Sequence, residues 1–163
     1  MPTAVPYLSE AQVNECLDPA ALIDAMRQAL IDLSAGKANQ PLRMVMPFDA
    51  ATESSAAGGN PAADGPSEHG LLFLKPAQLG SALATKLITL VPSNAEKGLP
   101  TLLATIVLMD PATGAATAIL EGANLTAMRT AAVSAAAADA LTPAGPKIVA
   151  MLGSGVAASG SAR

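Results

Sequence analysis

The sequence predicts an α/β fold on three observations. Two capped helical stretches open the chain, a series of short apolar segments joined by turn chemistry follows, and a buried-type strand near the end runs into Gly153-Ser-Gly155-Val-Ala-Ala158. The expected architecture is a domain of helices on a mixed sheet over residues 1–142. The first strand and glycine loop of a dinucleotide-binding Rossmann unit follow at residues 147–163 and are expected to be incomplete at Arg163. A length of 163 residues accommodates one domain and part of another, because domains run to roughly 100–200 residues.

The elements follow in order. Ser9-Glu-Ala-Gln12 has capping-box spacing and opens a short helix towards Cys16. A longer helix starts at Asp18 as N-cap with Pro19 at its first position. It carries Leu22, Met26, Ala29, Leu30 and Leu33 on one stripe and stops at Gly36. Residues 41–47 alternate, with Leu42, Met44 and Met46 on one side and Arg43 and Val45 on the other, as in a strand. Residues 50–67, rich in Ala, Ser, Gly and Pro, bury too little apolar surface to offset their ordering entropy and read as a mobile loop. Strands are expected at residues 71–74, 82–91 and 101–109. Asp110-Pro-Ala-Thr-Gly114 then turns the chain into a hairpin strand at residues 115–120. An Ala-rich helix spans residues 125–141 and ends at Thr142-Pro143, and residues 147–152 form the last strand.

Composition narrows the function classes. Hydrophobic residues make up 51% of the chain but aromatics only 2%, so the core must be built from Ala, Leu, Val, Ile and Met. A net charge of -4 argues against a nucleic-acid footprint, and a small-molecule ligand is the better expectation. The apolar stretches at residues 99–109 and 131–140 fall short of the roughly 18–20 residues that span a bilayer, so no membrane association is expected. The first residues lack the basic and apolar runs of a signal peptide. A single cysteine, Cys16, suits a reducing compartment, and a cytoplasmic location is expected. With His69 the only histidine and Cys16 far from it in sequence, no zinc site is expected.

Four positions carry candidate chemistry. In the turn after the last strand, Gly153 permits the tight bend, Gly155 lets the backbone approach a pyrophosphate, and Val156 and Ala158 complete the pattern; an ordinary Gly-rich turn is the alternative. Arg129 is the only cation between Lys97 and Lys147 and falls in the first turns of the Ala-rich helix, where an anion is favoured. It reads equally as a surface arginine covering apolar area with its stem. Lys86 lies mid-strand with Ala84, Ile88 and Leu90 on its face, so it needs a partner or a depressed pKa, unless it is a solvent-facing edge lysine. Arg43, taken by itself, reads as a solvated charge on a half-exposed strand.

Pro41-Leu-Arg-Met-Val45, Ala84-Thr-Lys-Leu-Ile-Thr-Leu90, Gly98-Leu-Pro-Thr101, Asn124-Leu-Thr-Ala-Met-Arg-Thr-Ala-Ala-Val-Ser134 and the glycine turn, in this order, resemble the ornithine cyclodeaminase and mu-crystallin family. The resemblance implies a substrate-binding and dimerisation domain, with Arg43, Lys86 and Arg129 meeting a substrate carboxylate and Lys86 as the active-site lysine. It also implies cofactor contacts at Thr101, Arg129, Thr130, Gly153, Gly155, Val156 and Ala158. The activity implied is that of an NAD(P)-dependent imine reductase or amino-acid cyclodeaminase on a cyclic imino acid or small amino acid, in a homodimer. Either NAD or NADP is expected, since the residue that meets the ribose would lie beyond Arg163. The family's catalytic aspartate would lie there too, so the chain alone is expected to be inactive. A non-catalytic small-ligand-binding protein and an assembly role are the alternatives. Departures from the family pattern are the residue 50–67 stretch, Lys75 before Pro-Ala where an apolar residue is usual, Leu102 where many members carry histidine, and the residues after Ala158.

Overall fold

The computed structural model describes residues 4–49, 69–146, 148 and 150. The expected loop at residues 50–67, with Glu53 and Asp64, lies outside them together with Glu68. So do the glycine turn with Gly153, Gly155, Val156 and Ala158 and, apart from Ile148 and Ala150, the strand expected at residues 147–152.

The elements are β1 (Tyr7–Leu8), α1 (Glu10–Glu15), α2 (Pro19–Ser34), β2 (Ala38–Asn39), β3 (Met44–Asp49), β4 (His69–Leu79), β5 (Ala82–Leu90), β6 (Leu102–Met109), β7 (Ala116–Glu121) and α3 (Ala123–Leu141). Among the described residues they form one mixed sheet in the order β1-β7-β6-β5-β4-β2, with β3 on the same edge of β4 as β2. All neighbours pair antiparallel except β1, which runs parallel to β7. The α/β fold with a mixed sheet is therefore as expected. No helix among the described residues is long and apolar enough to cross a membrane.

Local chemistry explains most boundaries. Ser9 and Gln12 form the reciprocal capping box that opens α1. Asp18 accepts a hydrogen bond from the Ala21 N–H at 2.7 Å to cap α2, which begins at Pro19. The β6–β7 hairpin turns on Asp110, whose carboxylate accepts from the Ala112 N–H at 2.9 Å and the Thr113 hydroxyl at 2.7 Å, and on Gly114 at φ 73°.

Three expectations are corrected. The strand expected at residues 71–74 extends over β4, because Pro76 falls in the gap between β3 and β2 on that edge, a position where proline is tolerated. The strand expected at residues 41–47 starts later, at Met44, and runs through Pro47 because β3 pairs with β4 alone among the described residues. The stripe on α2 is incomplete: Leu22, Met26 and Ala29 are half-buried, but Leu30 and Leu33 are 41% and 45% exposed.

Among the described residues the buried apolar side chains are Val13, Ile88, Ala104, Ala131, Ala132 and Ala136. Helix α3 lies on the sheet face that carries Ile88 and Ala104, and it can approach closely because Gly122 precedes it. A Cβ on Gly122 would stand 3.1 Å from Ile106 Cγ1 and 3.3 Å from the Ala104 carbonyl oxygen. Helix α2 packs on α3 in turn, and Arg27 bridges Asp139 at 3.1 Å.

Candidate functional site

The β-register builds the site before any side-chain contact is considered. Lys75 of β4 stands opposite Lys86 of β5, and Lys86 stands opposite Ile106 of β6. Continuing the β3–β4 register by one residue beyond Met44↔Leu74 brings Arg43 opposite Lys75. Three cations therefore form one row, from the residue before β3 across β4 and β5, on the face that α3 partly covers. Phe73, two residues before Lys75 on that face, receives two of them. The Arg43 guanidinium carbon lies 5.6 Å from its ring centroid and the Lys75 ammonium 5.8 Å, both within cation–π range.

Lys86 is tied to the helix. Its ammonium donates to Thr126 Oγ1 at 3.2 Å, and the Thr126 hydroxyl donates to the Gly122 carbonyl at 2.7 Å. Thr126 and Arg129 are three apart on α3 and so share a face, which brings Arg129 to the same row. Burial, then the charges of Arg129 and Lys75, push the Lys86 ammonium down to about 8. Of the two alternatives for Lys86, the structure bears out the half-buried lysine with a hydrogen-bond partner.

Arg129 presents an unmet need. Its Nε is buried and has no hydrogen-bond partner, which costs free energy unless a ligand accepts from it. The expected source of anion affinity is corrected, however. Glu121 Oε1 accepts from the Ala123 N–H at 2.9 Å and already places a carboxylate at the start of α3, which begins two residues earlier than expected. Arg129 is six residues further on, about 9 Å along the axis, beyond the turn over which the helix field acts. An anion at Arg129 would be held by the guanidinium and by Lys86.

A groove of about 470 Å³ at the start of α3 is lined by Thr101, Leu102, Asn124, Thr126 and Thr130, among others. Thr101 and Thr130 thus line one groove, and Thr126 joins this groove to the cation row. Thr130 donates its hydroxyl proton to the Thr126 carbonyl at 2.7 Å, leaving its oxygen lone pairs to accept. Leu102 gives this groove an apolar wall. His69 belongs elsewhere. It pairs with Asp49 at 3.1 Å at the far end of β4, six residues and about 20 Å along the strand from Lys75.

Sequence reasoning did not select Lys75, Phe73 or Thr126 as site residues. The first two alternate on one strand and Thr126 precedes Arg129 by three, but only the register and the helix placement show that these positions converge.

The family model described as the ornithine cyclodeaminase/mu-crystallin family matches residues 5–163. Ketimine reductase mu-crystallin from Mus musculus is 33% identical over 164 residues, covering 97% of this chain and 47% of that protein. The structure of Thermococcus litoralis Δ1-pyrroline-2-carboxylate reductase with NADH and L-proline is similar with a TM-score of 0.69 at 33% identity, covering 85% of this chain and 38% of that one. An archaeal alanine dehydrogenase dimer with bound NAD is similar with a TM-score of 0.70 at 25% identity, covering 85% of this chain and 38% of that one. The chain thus spans somewhat under half the length of the curated relatives it matches, 47% in the mouse case. With a shared fold and a family match over nearly the whole sequence, the chain belongs to the ornithine cyclodeaminase/mu-crystallin family.

Proposed function

We propose that this domain provides the substrate-binding half of an NAD(P)-dependent imine reductase or amino-acid cyclodeaminase acting on a cyclic imino acid or small amino acid. The observation that carries this reading is the buried, unpartnered Nε of Arg129 on the helix face shared with Thr126, which holds Lys86. A substrate carboxylate satisfies that donor and offsets the charge repulsion between the two cations. Arg129 holds the carboxylate, Arg43 adds charge from the sheet edge, and Lys86 orients the reacting group and holds a proton at Nζ. An ammonium with a pKa of about 8 is near the working range of a general acid.

The groove supports the cofactor assignment, being polar at Thr101, Thr126 and Thr130 and large enough for one end of a dinucleotide. NAD or NADP, when bound, supplies the hydride. Thr101, Arg129 and Thr130 would hold it together with Gly153, Gly155, Val156 and Ala158. The proposed assembly is a homodimer.

Calorimetric titration of L-proline into the chain tests the carboxylate site. The native chain is expected to bind, and Arg129→Ala to bind at least about tenfold more weakly, the loss of one charge-assisted hydrogen bond. No binding by the native chain, or equal binding by the variant, contradicts the reading.

A further inference from the structure

The row of cations holds more positive charge than a single carboxylate needs. Arg43, the residue before β3, Lys75 of β4 and Lys86 of β5 follow one another, and neighbouring strands are about 4.8 Å apart, so the ends of the row are separated by about 10 Å. Like charges directly opposite each other on paired strands destabilise a sheet. Among the described residues no carboxylate pairs with any of them or with Arg129. The Phe73 ring receives Arg43 and Lys75 but neutralises neither. Glu121 is opposite Thr105, one register position out of phase with the Ile106↔Leu120 pair, and so belongs to the other face of the sheet.

Two subsites result. Thr126 holds Lys86 on the α3 face that also carries Arg129, and Lys75 and Arg43 both approach the Phe73 ring one strand towards the edge. We propose that the site takes a dicarboxylate, an amino or imino acid with an acidic side chain, whose first carboxylate engages Arg129 and Lys86 and whose second engages Lys75 and Arg43. This rests on the carboxylate-binding reading given above and makes Lys75 the residue that selects for the second negative charge.

Succinate and butyrate, equal in carbon number and different in charge, are the probes, titrated into the 163-residue chain and followed by NMR. Succinate is expected to bind at least about tenfold more tightly than butyrate, the contribution of one added charge-assisted contact. Lys75→Met is expected to bring the two affinities together while butyrate affinity holds, and Lys75→Arg to retain the preference. Circular dichroism confirms that each variant is folded. Equal affinity for the two anions in the native chain, or a preference that survives in Lys75→Met, overturns the dicarboxylate proposal and leaves the carboxylate site standing. Absence of binding by both anions overturns the two together.

Discussion

Lys86 is the residue at which packing, electrostatics and proposed function meet. Its ammonium is pushed down from the ordinary lysine value of 10.5 to about 8, so in the folded chain it gives up its proton more readily than in the unfolded one. Below about pH 8 both states hold the proton, and the cost of a charged, half-buried lysine is fully present. Between about 8 and 10.5 the unfolded chain binds more protons, so this group makes stability rise with pH. Lys86→Met is therefore expected to stabilise the chain at pH 7 and to reduce the gain in urea stability between pH 7 and 10; an unchanged pH slope contradicts the assignment. The two arginines differ in kind. Arg129→Ala removes a buried donor and should cost roughly 1.5–3 kcal/mol in carboxylate binding. Arg43→Lys keeps the charge at an exposed position and should cost less, which parallel titrations with L-proline can rank. Arg43, Lys86 and Arg129 were legible because each interrupts an apolar pattern. Lys75 and Thr126 were not, because their partners lie 11 and 40 residues away and only the register and the helix placement bring them together.

At the scale of elements, α3 positions the site and Gly122 positions α3. Gly122 has an ordinary negative φ of -122°, so its requirement is one of space: a Cβ would press on Ile106 and on the Ala104 backbone. Gly122→Val is expected to destabilise the chain by about 1–3 kcal/mol in urea unfolding, as overpacking does. By lifting α3 it should also weaken L-proline binding. Full stability in the variant would show that the helix does not rest on β6 at this point. Asp18→Ala should cost about 1 kcal/mol through loss of the α2 cap. Caps and turn residues made α1, α2 and the β6–β7 hairpin readable in advance, since each signal is local. The length of β4 was concealed by Pro76, which is compatible with a strand only because of the neighbours on that edge. β1 and β2 are too short to show a periodicity, and the parallel pairing of β1 depends on where the chain returns in space.

At the scale of the molecule, α3 covers one face of the sheet, and the opposite face carries Leu72, Leu74, Leu87, Val107 and Ile119, all half-buried, with Leu103 49% exposed. An apolar face of this kind supports the proposed homodimer. Sedimentation at tens of micromolar is expected to show a dimer that Leu103→Glu weakens, and a native monomer would contradict it. The mixed sheet followed from short turn-linked apolar segments, whereas the identity of the face opposite α3 required knowing which side α3 takes. The most direct test of the carboxylate site is the pKa of the Lys86 ammonium, followed by NMR in the native chain with and without saturating L-proline. The expected result is a value near 8 in the free chain that rises when the carboxylate is bound, because a neighbouring anion favours the charged lysine. A Lys86 titration that L-proline leaves unmoved would contradict the assignment of this site to a substrate carboxylate.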